Sequence, residues 1–182
     1  ASITSIMSLF MVTYMSRYLS IRPSNALWLN SISICTYSFC CLVSGRLIDL
    51  FNPAKVLKVA SIAIFILAYP IFELISTRET LFIILGLLLS APLLACIMGS
   101  IPMLLIELFP VQVRYSGIAF SYNSGFSLLA GTSPMLVVFF ISATGIKIIP
   151  AFFIMLMVLC ALPVIIFLNK RFIKFENIKR RH

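Results

Sequence analysis

Long apolar runs separated by short polar joints dominate the chain. Charged residues fall mainly at the ends of these runs. A helix needs about 20 mostly apolar residues to cross a bilayer, and the runs reach or approach that length. The pattern therefore predicts an all-α membrane protein with six transmembrane helices. Their predicted bounds are 2–19, 26–46, 56–75, 81–105, 115–140 and 148–168.

Composition narrows the class of protein further. Of the 182 residues, 62% are apolar and only 10% are charged. A soluble domain is about half apolar and about one quarter charged. So few charges cannot cover a water-facing surface, which excludes a soluble enzyme or a secreted domain. The lipid bilayer is the expected partner.

Basic residues predict the orientation of the helices. The chain has 14 Lys and Arg against 5 Asp and Glu, a net charge of +9. Ten basic residues fall on one side of the predicted helices, six of them in a tail at 169–182, and four fall on the other side. Cytoplasmic loops carry the excess of Lys and Arg, so both chain ends and the basic tail are expected in the cytoplasm. Because the charges lie at span boundaries, we expect no nucleic-acid binding.

Polar side chains are distributed unevenly among the predicted spans. The first, second and fifth spans carry hydroxyl and amide groups, whereas the third and sixth are almost wholly apolar. Polar groups in hydrocarbon are costly unless they face protein or water. We therefore expect spans one, two and five to line a cavity, and spans three and six to face lipid. Helix packing through small and hydroxyl residues is the alternative explanation. The candidate substrate-binding residues are Tyr14, Tyr37, Tyr122 and Asn123.

No enzyme site, metal site or cofactor site is expected. The single histidine is His182, and no span carries a hydrolase or metalloprotease motif. All five cysteines lie within apolar runs without zinc-ligand spacing, so they are expected to behave as buried apolar side chains. The chain is therefore not expected to be an enzyme.

Two polar joints carry an acid followed by a base. Gly45 and Asp49 precede Lys55 in the first joint, and Glu107 precedes Arg114 in the second. An acid at a helix end can accept hydrogen bonds from an arginine or from a neighbouring helix. A cytoplasmic gate of Gly45, Asp49, Glu107 and Arg114 is one interpretation. Control of topology by positive charge is the other.

The second joint also resembles a known family. The run ELFPVQVRYSG at 107–117, followed by Tyr122 and Asn123, closely resembles the loop between helices ten and eleven in the metabolite:proton symporters of the major facilitator superfamily. The run TYMSRYL at 13–19 is similar to the end of helix seven in that family's proline/betaine transporters. The first joint, 45–55, keeps Gly45 and Asp49 of the superfamily's loop motif but departs from it at Leu50 and Asn52.

The resemblance implies half of a larger transporter. The family has twelve helices in two six-helix halves, and this chain resembles helices seven to twelve, the C-terminal half-bundle. It implies a proton-coupled symporter for a small polar solute such as proline, betaine or a carboxylate, located in a bacterial inner (plasma) membrane. The expected partners are the solute, a proton and a missing N-terminal half, so the chain alone is expected to be inactive. The alternative is a complete six-helix protein that works as a dimer or with a separate N-terminal half.

Overall fold

The computed structural model describes residues 1–179, with side chains described as far as residue 168. The described chain is helical throughout, apart from short connections. The first helix, α1, has three consecutive segments, namely Ser2–Thr4, a π-helical turn at Ser5–Phe10, and Met11–Arg17. The other helices are α2 (Pro23–Leu50), α3 (Pro53–Ser76), α4 (Thr80–Leu108), α5 (Arg114–Thr144) and α6 (Ile149–Lys179).

Five of these helices are long and apolar enough to cross a membrane. They are α2 to α5 and the part of α6 at Ile149–Leu168. The chain is therefore an all-α, multi-pass membrane protein. The segments of α1 form one further helical stretch at residues 2–17. In α6 the backbone stays helical beyond residue 168 into the predicted tail, whose last residues, 180–182, lie outside the described part.

Helix boundaries follow local sequence signals. Pro23 and Pro53 occupy the first turns of α2 and α3, where the missing N–H costs nothing because it has no intrahelical partner. The Asn52 side chain accepts a hydrogen bond from the Ala54 N–H at 2.9 Å and caps α3. Gly145 ends α5 in the left-handed conformation, with φ at +72°. These signals divide the apolar sequence into separate helices.

The core centres on α4, which packs against both α2 and α3, while α3 also packs against α6. Phe72 of α3, Ile83 of α4 and Ile154 of α6 are completely buried there. The two helices α3 and α4 approach each other closely at Gly86, where an added Cβ would lie 3.1 Å from the Ile71 carbonyl oxygen. A small residue favours such a close approach of two backbones.

The π-helical turn of α1 is where that helix meets α5. The Ser5 hydroxyl donates a 2.6 Å hydrogen bond to the Ala130 carbonyl of α5. Ile6 and Met11 are completely buried beside it. A π-helical turn shifts the register of the side chains around the helix axis, and such turns occur frequently at functional sites.

Candidate functional site

The middle of α2 (31–43) and the first half of α5 (114–129) contain no buried residue, and this uncovered region is the opening. The buried residues of α2 lie near its two ends, and none of residues 31–43 is buried. The buried residues of α5, namely Ser133, Val137 and Ile141, all lie in its second half. Only 17% of the apolar window in each of these helices is buried, against 44% in α4. The uncovered surfaces of these two helices carry both polar side chains and large apolar ones such as Phe39 and Phe120.

Two of the predicted tyrosines border this opening. The Tyr37 side chain of α2 lies beside the Cys41 thiol and within electrostatic range of Tyr122 on α5. Tyr122 precedes the buried Ser133 by 11 residues, about three helical turns, so the two share one face of α5. Tyr122 therefore points toward the bundle at a level where α5 is not covered. Its ring stacks on Phe126 with a centroid distance of 5.4 Å.

Asn123 is also exposed in the uncovered first half of α5. It follows Tyr122 directly, so the two side chains project about 100° apart around the helix axis. Tyr37 and Tyr122 present phenol hydroxyls and aromatic ring faces, and Asn123 adds a primary amide in the same exposed stretch of α5. These groups can donate and accept hydrogen bonds, and the ring faces can attract a cation. Such a set suits a small polar solute rather than an apolar one.

Two other polar residues of α2 bind neighbouring helices instead of facing the opening. The Asn30 amide nitrogen donates to the Ser8 carbonyl of α1 at 3.2 Å. The Ser44 hydroxyl lies 3.2 Å from the Ala95 carbonyl of α4. For these two residues the alternative explanation, helix packing, accounts for the polar side chain. The polar residues near the two ends of α2 therefore take part in helix packing, whereas those in its middle are not buried.

Tyr14 lies inside the bundle rather than at the opening. Its side chain is completely buried, in edge-on contact with Phe72 of α3 at a ring-centroid distance of 5.8 Å. Its hydroxyl donates to the Lys147 carbonyl at 2.9 Å and lies 3.2 Å from the Ser76 hydroxyl. The structure therefore does not bring Tyr14 together with Tyr37 and Tyr122. The sequence marked Tyr14 as a polar aromatic residue in a membrane helix but carried no information about its partners.

The five cysteines are free thiols. Cys35 and Cys160 are exposed and Cys40, Cys41 and Cys96 are half-buried, so none of the five is fully buried as predicted. Across the described residues, no group of three or more His, Cys, Asp and Glu side chains is placed to hold a metal ion.

The loop between α4 and α5 is folded onto the start of α5. The Nε of Arg114 donates to the Phe109 carbonyl at 3.2 Å. The Phe109 ring covers Gly117, where an added Cβ would lie only 2.6 Å from two ring carbons. Phe109 is a contact that the sequence analysis missed. The glycine at position 117, which leaves room for the ring, was its only signal in the sequence.

The other predicted gate residues lie on α2 and at the end of α4. Gly45 and the exposed Asp49 are near the end of α2, where Ile48 approaches Gly99 of α4. Glu107 lies eight residues beyond Gly99, which is about 12 Å further along the helix. Asp49 and Glu107 are therefore separated in this structure, and Arg114 binds its own loop.

Comparison with known proteins assigns the family. The model of the Major Facilitator Superfamily matches residues 1–180. The chain belongs to the Major Facilitator Superfamily. This is a transporter family, so the chain is not an enzyme, in agreement with the absence of an enzyme motif in the sequence. The resemblance noted in the α4–α5 loop is thereby confirmed.

Curated relatives place the chain near the proline/betaine transporters of the superfamily. It is 32% identical to the proline/betaine transporter of Escherichia coli over 120 residues, which is 66% of this chain and 24% of that protein. It is 31% identical to the glycine betaine/proline/ectoine/pipecolic acid transporter of Dickeya dadantii over 128 residues, 70% of this chain and 25% of that protein. The matched segment thus spans about a quarter of each relative's length. No solved structure matches the chain.

Proposed function

We propose that this chain is the C-terminal half of a proton-coupled symporter for a small polar solute such as proline, betaine or a carboxylate. The observation that carries the proposal is the uncovered opening between α2 and α5, bordered by Tyr37, Tyr122 and Asn123. A polar face is costly against lipid but not against a water-filled pathway. Substrate sites of transporters built from repeats lie where the repeats meet.

A missing half would complete the pathway. In this proposal α1 to α6 are six transmembrane helices that form one half-bundle in a bacterial inner membrane, with both ends in the cytoplasm. A preceding six-helix half covers the open faces of α2 and α5.

The aromatic groups favour a solute that carries a positive charge. Tyr37, Tyr122 and the stacked Phe126 offer ring faces, which attract ammonium groups through cation–π interactions. Asn123 supplies an amide that can bind a carboxylate. A betaine or proline zwitterion combines both groups in one molecule. In this proposal Tyr14 has no direct contact with the solute and instead fixes the end of α1.

The cytoplasmic ends of α2, α4 and α5 form the proposed gate. Gly45 and Asp49 lie on α2, Glu107 ends α4, and Arg114 begins α5. Arg114 holds the α4–α5 loop through the Phe109 carbonyl, so the loop and the start of α5 move together. The two acids are then free to meet donors of the partner half when the cytoplasmic side closes.

Uptake kinetics in the assembled transporter test the pathway residues. Tyr37→Leu and Asn123→Ala each remove one contact with the solute, so the KM for labelled betaine or proline should rise about 3- to 10-fold. Tyr122→Phe keeps the ring and should affect betaine less than Tyr122→Leu does. Tyr115→Phe is the matched control, because Tyr115 is 89% exposed at the start of α5. An unchanged KM in the Tyr37 and Asn123 variants, at normal expression, would disprove the proposed site.

A complete six-helix transporter that works as a dimer is the second candidate. The uncovered faces of α2 and α5 favour it as well, because a second copy of the chain could cover them. The two candidates differ in what the chain needs for uptake. A dimer transports when expressed alone, whereas a half-bundle requires a different partner.

A further inference from the structure

A small cavity lies at the opposite end of the bundle from the proposed gate. It forms where the connection between α1 and α2 meets the turn between α3 and α4, and its volume is about 330 Å³. Its lining includes two arginines, an amide, a hydroxyl and an indole, from Arg22, Arg78, Asn25, Thr80 and Trp28. Nothing in the proposed transport pathway uses these residues.

The chain brings the two arginines together from separate connections. Arg22 is the residue immediately before α2, and Arg78 lies between the end of α3 and the start of α4. Arg78 has a left-handed backbone, with φ at +64°, which reverses the chain into α4. A residue with a side chain adopts this conformation at a cost of about 1 kcal/mol or more, so the surrounding turn must hold it.

The lining has the chemistry of an anion site. A guanidinium presents a planar fork of donors that matches a phosphate, and two such groups border this cavity. The Asn25 amide and the Thr80 hydroxyl add uncharged donors. Glu79 is adjacent in sequence, but it is exposed and does not line the cavity.

The position of the cavity indicates that the anion comes from a lipid. Arg22 immediately precedes α2 and Arg78 lies two residues before α4, and both helices are long and apolar enough to cross a membrane. The cavity therefore lies at the level of the phospholipid headgroups. Trp28 is 72% exposed at its edge, and its neighbour Leu27 is 55% exposed. An indole at this level lies against the boundary between headgroups and acyl chains.

We propose that this cavity binds the phosphate group of an anionic phospholipid, with Arg22 and Arg78 as its two cationic contacts. The acyl chains lie along the exposed apolar surface at Leu27 and Trp28. Inorganic phosphate has the same chemistry and could reach the cavity from water. A soluble anion would gain nothing from the apolar surface beside the arginines.

Trp28 provides a direct test, because it is the single tryptophan of the chain. The full chain is reconstituted in phosphatidylcholine vesicles that contain a small fraction of lipid with brominated acyl chains, which quench a nearby indole. Brominated phosphatidylglycerol should quench Trp28 fluorescence at a lower mole fraction than brominated phosphatidylcholine. Each arginine near the membrane surface contributes about fivefold in affinity, so Arg22→Gln/Arg78→Gln should weaken the preference for phosphatidylglycerol about 25-fold.

Matched variants separate a specific site from general charge. Arg17→Gln/Lys147→Gln removes two basic side chains from the same end of the bundle, neither of which lines the cavity, and should keep the preference. Arg22→Lys/Arg78→Lys keeps the positive charge and should keep most of the preference for phosphatidylglycerol. The proposal fails if the Gln pair at 22 and 78 has no larger effect than the pair at 17 and 147. It also fails if phosphatidylglycerol shows no preference while millimolar inorganic phosphate changes the Trp28 emission.

Discussion

Tyr14 joins three parts of the bundle through one buried hydroxyl. It connects the end of α1 to Ser76 at the end of α3 and to the Lys147 carbonyl between α5 and α6. In a completely buried site, loss of a hydroxyl leaves its former partners without a hydrogen bond. The role of this residue could not be assigned from the sequence, because both hydrogen bonds join positions far apart in the chain.

Tyr14→Phe should destabilise the chain. The variant keeps the ring and its contact with Phe72 but removes the hydroxyl, so we expect a loss of about 1–2 kcal/mol in the free energy of unfolding. Thermal unfolding of the purified chain in detergent measures the change. Tyr115→Phe removes a hydroxyl from an 89% exposed ring and should leave the melting temperature unchanged. Equal melting temperatures for the two variants would show that the Tyr14 hydroxyl is not a structural contact.

Gly117 permits the close contact that folds the α4–α5 loop. Gly117→Ala places a methyl group about where the Phe109 ring now lies, which should cost about 1–3 kcal/mol through overpacking. Gly125→Ala is the control, since an added Cβ there meets nothing within 4 Å. With Phe109→Ala in place, Gly117→Ala should no longer lower stability. Thermal unfolding of the unchanged chain, the two single variants and the double variant checks this, and additive stability losses of the two changes would contradict it.

The helices of this bundle differ in how closely they pack. The pair α3 and α4 forms the centre of the core, and the two helices approach each other closely at Gly86. By contrast, α2 and α5 carry polar side chains on surfaces that no other described helix covers. The sequence predicted the polar character of α2 and α5 correctly, because side-chain chemistry is local.

Gly86→Leu should separate α3 from α4. The new side chain would collide with the Ile71 carbonyl and the Ile75 side chain, and backbone atoms cannot move aside cheaply. We expect a loss of at least about 1–3 kcal/mol in stability. Gly131→Leu adds the same side chain on α5, where nothing lies within 4 Å of an added Cβ. Folded yield and melting temperature in detergent measure both variants, and similar losses would refute the assigned packing.

The sequence was informative about long apolar helices but not about irregular ones. Charges and prolines such as Pro23 and Pro53 mark helix boundaries locally, so the helix pattern could be predicted. The π-helical turn of α1 could not be predicted, because the sequence carries no local signal for it. Its hydrogen bond from Ser5 to Ala130 of α5 joins positions far apart in the chain. The same limit applies to Phe109 and Gly117, whose contact depends on how the loop folds back.

At the scale of the whole molecule, the uncovered faces of α2 and α5 are the central feature. The chain belongs to a transporter superfamily, yet its matched segment spans about a quarter of each curated relative. Tyr37, Tyr122 and Asn123 border one side of an opening that no described helix closes. The proposed half-pathway accounts for the exposed polar residues.

Uptake by the chain alone tests this account most directly. The chain is expressed in cells that lack their own proline and betaine uptake, its insertion in the membrane is verified, and labelled proline and betaine are supplied with a proton gradient. The account predicts no uptake above that of cells without the chain, because one half-bundle provides only one wall of the pathway. Saturable uptake that collapses with the proton gradient would contradict it and would favour the dimer of complete six-helix proteins.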